Sequence, residues 1–303
     1  MFTGKLSRRF AAFALAAVAF VPAMPTASAE SAPGSRLVVM GDSFAANGFR
    51  WQADAKECLR GPASWPTQLS QLMGIAGTPD FRDDSCSGAA IKTKSGYSLA
   101  QEAINADKAG GFGARTRVIA MQFGLNDSWG TEHSTTLWGS LQPCVFNLEQ
   151  GCGLDAAAEG RITDYRGVSG EEYAARIREV VTYVRYYAPN AKVVLVGYPE
   201  FFPAGQDFAC FDILGAGDFI QPRAEGLIEY LDRMDAAQRE AARLLGIEYF
   251  DARAITAGHG LCSNDPWLNG AFDPRTDLIG IPFHPSAHGD TVMANALYER
   301  YGK

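Results

Sequence analysis

The sequence predicts an α/β fold built on a parallel sheet. Three observations carry that expectation. Short apolar runs end at glycines, amphipathic segments with helical spacing alternate with them, and one run is so uniformly Val and Leu that both its faces must be covered. Residues 36–40 (Arg-Leu-Val-Val-Met) read as a buried strand that stops at Gly41. Residues 65–73 read as a helix, with Ser64 as N-cap and Gly74 as its stop. Residues 117–123 give a second strand, again followed by glycine. A long helix spans 169–187, where Tyr173, Ile177, Val180, Val181 and Val184 fall on one face and Pro189 follows the end. The strand 192–198 is the uniformly apolar one. A helix over 223–245, a strand over 247–250 and a last helix over 286–301 complete the alternation. Residues 128–168, 199–222 and 252–283 interrupt it as long loops bearing glycine, proline and aromatics, the kind of loop that often carries function. No linker divides the chain, so residues 30–303 are expected to form one domain.

The N-terminus has the three-part pattern of a secretory signal peptide. Lys5, Arg8 and Arg9 precede an uncharged apolar run, and Ala27-Ser28-Ala29 offers small residues for cleavage near Ala29. The run is shorter than a membrane span requires, and Pro22 and Pro25 follow it. A secreted protein without stable membrane insertion is therefore expected. The 303 residues are 47% hydrophobic and 20% charged, with a formal charge of -7. Cleavage would remove three basic residues and no acidic one, leaving about -10. That balance argues against nucleic acid as a partner, because such binding draws its affinity from Lys and Arg.

In an open parallel sheet the functional loops lie at the carboxyl ends of the strands. Three such loops hold chemistry-bearing residues: Gly41-Asp42-Ser43-Phe44, Gly124-Leu125-Asn126-Asp127, and Phe283-His284-Pro285 before the final helix. A serine becomes a nucleophile when a histidine takes its proton. An asparagine amide can stabilise an oxyanion, and a glycine such as Gly88 lets a backbone N–H approach the same oxygen. Each motif alone is weak, since Gly-Asp-Ser is a common turn and Asn126-Asp127 could cap a helix. Together and in this order they are specific.

These blocks resemble the SGNH hydrolases, also called the GDSL esterase/lipase family, over nearly all of residues 36–303. Gly41-Asp42-Ser43 stands with Phe44 where leucine is usual, Gly88 lies in a Cys-Ser-Gly-Ala setting, and Gly124-Leu125-Asn126-Asp127 and His284-Pro285 follow. The resemblance implies a flavodoxin-like three-layer α/β/α sandwich around a five-stranded parallel sheet. It also implies ester hydrolysis through an acyl-serine intermediate, with no cofactor and no metal. Ser43 would be the nucleophile and His284 the base. Ser43, Gly88 and Asn126 would form the oxyanion hole.

One departure matters. The family usually carries an aspartate three residues before the histidine, where this chain has Ile281. Secreted actinobacterial members are similar in using a main-chain carbonyl there, so the Ile281 carbonyl is expected to accept the Nδ1–H of His284. A rearranged triad using Asp277 or Asp273 is the rival. His288, four residues after His284, lacks the intervening Glu of a metalloprotease helix and is expected at the surface or in a cap.

Six cysteines and an export signal suggest disulfides. The resemblance implies sequential pairing, Cys58–Cys86, Cys144–Cys152 and Cys210–Cys262. Phe44, Phe49, Trp51, Trp129, Tyr198, Phe201, Phe202 and Trp267 are candidates for an acyl pocket or for ordinary core. The leading expectation is a secreted, monomeric serine esterase or lipase acting on acyl-lipid esters. A polysaccharide deacetylase and a catalytically silent binding protein on the same fold are the alternatives.

Overall fold

In a computed structural model of the chain, residues 1–30 and 31–303 form separate units. The structure describes Met1 and residues 33–48, 58–92, 97–130, 135–215 and 217–303. The expected signal peptide thus lies, Met1 aside, outside the described residues, as do Phe49, Trp51 and His133.

Strand β1 (Leu37–Gly41) runs into a single helical turn, α1 (Ser43–Ala46). Then come α2 (Trp65–Leu72), β2 (Phe81–Asp83), α3 (Leu99–Lys108), β3 (Val118–Gln122), α4 (Gly170–Tyr187) and β4 (Lys192–Val196). A hairpin of β5 (Ala209–Asp212) and β6 (Asp218–Gln221) precedes α5 (Glu225–Leu245), β7 (Glu248–Phe250), α6 (Ala252–Ile255) and α7 (Ala287–Leu297). The main sheet has five strands in the order β2-β1-β3-β4-β7, and every pairing is parallel.

Alternation along the strands splits the core into two. Leu37, Val39, Val118 and Val194 face α2 and α7. Val38, Met40, Ile119 and Leu195 face the opposite layer, where α3, α4 and α5 pack. The predicted sandwich is therefore present: helices, parallel sheet, helices. Serine side chains cap α3, α4 and α7, with Ser98, Ser169 and Ser286 accepting N–H groups at 3.2, 3.2 and 3.1 Å. Gly246 closes α5 in the left-handed conformation, φ 59°.

The structure adds elements that periodicity did not reveal. The fifth strand, β2, is three residues long, Phe-Arg-Asp, at an edge and only half-buried. Helix α3 hides its apolar face because Glu102 sits fully buried among Leu99, Ala103 and Ala106. Its carboxylate accepts the Gly41 N–H at 2.8 Å, so the residue that spoils the pattern holds the end of β1. The last helix is also shorter than expected: α7 stops at Leu297, and Tyr298–Gly302 form a wider turn.

The interrupting loops gather around the carboxyl ends of the strands and are stapled. Cys58–Cys86, Cys144–Cys152 and Cys210–Cys262 are bridged, the pairing that the resemblance implied. The first ties the chain after α1 to the segment holding Gly88, and the third ties β5 to the loop after α6. Such a bridge typically contributes about 2–4 kcal/mol.

Candidate active site

Ser43 is the first residue of α1, directly after β1. Asp42 is its N-cap and accepts the Phe44 N–H at 2.9 Å, which fixes the sharp change from strand to helix. The other Asp42 oxygen accepts the Tyr198 hydroxyl at 2.5 Å, and that hydroxyl in turn receives the Leu125 N–H at 3.2 Å. One tyrosine thus ties the Gly-Asp-Ser turn to the Gly-Leu-Asn-Asp turn. Burial pushes the Asp42 carboxyl up to about 7, against the pull of its two hydrogen bonds.

His284 meets Ser43 across the whole length of the domain. Its Nε2 lies 2.7 Å from Ser43 Oγ, and its Nδ1 lies 2.9 Å from the carbonyl oxygen of Pro282. The expected acceptor, Ile281, is one residue off. The Ile281 carbonyl instead receives the backbone N–H of His284 at 3.1 Å. The reason is a turn over Ile281–His284, with Pro282 second and Phe283 third at φ 69°, the sequence and sign of a type II turn. Closing the turn consumes the Ile281 oxygen and leaves the Pro282 oxygen for the ring. Neither aspartate takes the acid position. Asp277 accepts the Ala287 N–H at the start of α7 (2.8 Å), and Asp273 is engaged by Arg275 (2.8 Å).

Two asparagines hold this arrangement. Asn269, fully buried, donates its backbone N–H to the His284 carbonyl (2.8 Å) and accepts the Phe283 N–H (2.7 Å). Its amide donates to the Pro285 carbonyl at 3.1 Å. Asn47, left-handed at the end of α1, receives the opposite side of the contact. Its amide donates to Pro285 O at 2.9 Å and to buried Asp290 at 2.6 Å, binding the serine turn to the histidine loop. Neither residue was singled out in the sequence, because a buried asparagine in a loop has no periodicity.

Gly88 adopts φ 81°, a left-handed conformation that a side chain would strain. Among the described residues, no hydrogen bond takes up the N–H of either Ser43 or Gly88. Asn126 donates to the Ala89 carbonyl at 2.8 Å, beside Gly88, and accepts the Trp138 indole N–H at 2.5 Å. Among the described residues its second amide N–H has no acceptor. Asp127 is no helix cap: its two oxygens receive the N–H groups of Ile91 and Lys92, both at 2.9 Å, locking the segment after Gly88. The geometry suits acyl transfer, with a base on the nucleophile and unspent donors nearby.

Burial pushes the His284 imidazole down from 6.5 to about 4, and the Pro282 carbonyl offsets only part of that. Phe44 stacks on the ring at 4.4 Å between centroids. Of the aromatic candidates, Phe201 and Phe202 line an apolar cleft. Trp138, Phe211, Phe219 and Phe283 are its other rings. Trp129 is core instead, stacked on Tyr173 with its N–H on the Gly124 carbonyl (3.0 Å). Trp267 stacks on His259 at 3.5 Å and meets exposed His288 edge-on.

Two outcomes follow for kinetics on an activated ester. Asp277→Ala and Asp273→Ala should each cost only a few-fold in kcat, while His284→Ala abolishes turnover; a loss near 10⁴-fold at either aspartate would restore a carboxylate triad. A base must be unprotonated, so kcat/KM should hold through pH 5 and fall only as pH drops through about 4. An acid limb at 6.5 or above would contradict the buried imidazole.

Comparison with known proteins agrees with the geometry. The sequence profile of the GDSL-like lipase/acylhydrolase family matches residues 39–292. Lipase 2 of Streptomyces coelicolor is 27% identical over 287 residues, covering 91% of this chain and 89% of that protein. The lipase of Streptomyces rimosus is 26% identical, covering 95% and 96%. The crystal structure of phospholipase A1 from Streptomyces albidoflavus superposes with a TM-score of 0.61 at 22% identity, over 88% of this chain and 99% of that one. At that identity it supports the fold. The chain therefore belongs to the GDSL-like lipase/acylhydrolase family, as a carboxylic ester hydrolase on the SGNH fold.

Proposed function

We propose that the protein is an exported serine esterase that cleaves acyl-lipid esters with a Ser-His pair and no acidic third member. The observation that carries this reading is the 2.7 Å contact between Ser43 Oγ and His284 Nε2, flanked by the apolar cleft. Ser43 Oγ attacks the ester carbonyl as His284 Nε2 takes its proton. The N–H groups of Ser43 and Gly88 and the amide of Asn126 receive the oxyanion. Collapse of the tetrahedral intermediate expels the alcohol, which takes the proton from His284. Water, deprotonated by the same imidazole, then attacks the acyl-serine; the ester bond to Ser43 breaks, Oγ takes the proton back from His284, and the acid leaves. The Pro282 carbonyl fixes the imidazole tautomer throughout.

The lipid assignment draws on the cleft and its surroundings. Trp138 and Phe283 line the cleft, and Trp138 stacks on His284 at 5.4 Å, so the cleft adjoins the Ser-His pair. Leu214, Phe272, Leu278 and Ile279 stand exposed on the hairpin tip and the loop leading to His284. Leu214 and Phe272 hold positive φ, 61° and 59°, where glycine would cost less. Export is supported by the N-terminal basic-apolar-small pattern and the three disulfides.

Hydrolysis of p-nitrophenyl esters from acetyl to palmitoyl, with Ser43→Ala as control, tests the reading. Ser43-dependent kcat/KM should rise from acetyl to a maximum at medium or long chains. A maximum at acetyl would favour a carbohydrate deacetylase, and no excess over the control would remove the esterase reading.

A further inference from the structure

We infer that Trp138 is a positioning residue that fixes which end of the Asn126 amide faces the substrate, and that it does so from the wall of the acyl cleft. This rests on the proposed role of Asn126 in the oxyanion hole. An asparagine amide has two ends of nearly equal shape and opposite hydrogen-bonding character. Only the nitrogen end can stabilise an oxyanion; the oxygen end would repel it. The orientation must therefore be imposed by neighbours.

Two neighbours impose it. Trp138 Nε1–H, which can only donate, points at Asn126 Oδ1 (2.5 Å). The Ala89 carbonyl, which can only accept, receives Asn126 Nδ2–H (2.8 Å). Rotating the amide by half a turn would set donor against donor and acceptor against acceptor. With both contacts made, the one donor the amide has left among the described residues is its second N–H, which is free to meet the substrate. Ala89 is held by its own turn, Ala89 N–H to Cys86 O at 3.0 Å. Trp138 is held by packing. Its ring lies nearly parallel to His284 (5.4 Å, 13°) and to Phe44 (6.5 Å, 23°), and it contacts Phe283 at 6.5 Å.

Trp138 thus touches three parts of the reaction at once. It packs on the base, orients an oxyanion donor and lines the cleft with Phe283. No other aromatic side chain supplies both the ring area and a donor-only N–H, so Phe at this position keeps the packing and loses the orientation.

The test is a double-mutant cycle on p-nitrophenyl octanoate. Trp138→Phe should lower kcat about 10-fold with KM changed less than about 3-fold, a fraction of the 10²–10³ lost when an oxyanion donor is removed outright. In an Asn126→Ala background the same substitution should change kcat less than about 2-fold, because its effect passes through that amide. Site-specific replacement of Trp138 by benzothienylalanine, which exchanges the N–H for sulfur at nearly constant shape, should reproduce the loss and covers the case in which phenylalanine disturbs folding. An undiminished kcat in either variant, or an equal loss with and without Asn126, would overturn the inference. If the parent protein shows no Ser43-dependent turnover, the esterase reading itself fails, and this inference with it.

Discussion

One hydrogen bond, from Ser43 to the imidazole of His284, spans 241 residues of sequence and joins the end of the first strand to the loop before the last helix. Everything near it serves that closure. The parallel sheet brings the carboxyl ends of its strands to one edge, which sets Ser43, Gly88 and Asn126 on adjacent loops. The α2 and α7 layer covers one face of the sheet and so fixes where the histidine loop must start. Asn47 and Asn269 then set the final ångström. Both donate to the Pro285 carbonyl, one from the serine side and one from the histidine side. Asp290, pushed well above the carboxylate range by burial, completes the join by accepting from Asn47.

The acid position shows how a fold can substitute for a side chain. A buried carboxylate beside the imidazole would stabilise its charged form; a carbonyl orients the ring but stabilises that charge less. Burial therefore dominates, the carbonyl offsets it only in part, and the imidazole stays neutral far into the acid range. A poor proton acceptor in the ground state needs its other catalytic groups well placed. The left-handed turn at Phe283 is where the backbone supplies that placement, at a strain of order 1 kcal/mol or more for a non-glycine residue. The same residue lines the cleft, so the turn that aims the carbonyl also aims an apolar wall.

Much of this was legible in the sequence, for physical reasons. Strands β1, β3 and β4 are buried on both faces, and continuous apolar runs mark that plainly. The amphipathic α4 and α5 declare themselves by spacing. The serine, glycine, asparagine and histidine blocks are weak singly and recognisable together, because they fall in order at the ends of strands and the start of a helix. What escaped detection depends on contacts between distant segments. β2 is too short and too polar to read, and α3 carries a buried glutamate on its apolar face. The displacement of the carbonyl from Ile281 to Pro282 is set by turn geometry, which a residue count cannot resolve. Trp138 and Asn269 matter through hydrogen bonds within and between irregular loops, 12 and 16 residues away, and no periodic pattern announces them.

The central claim is that Ser43 is activated by His284 alone. The most direct measurement is the rate and site of labelling by a fluorophosphonate, followed by intact-mass and peptide mass spectrometry. The account predicts one adduct, on the peptide containing Ser43, and labelling slowed by at least about 10³-fold in His284→Ala. An adduct on another residue, or Ser43 labelled as fast without the imidazole, would contradict it.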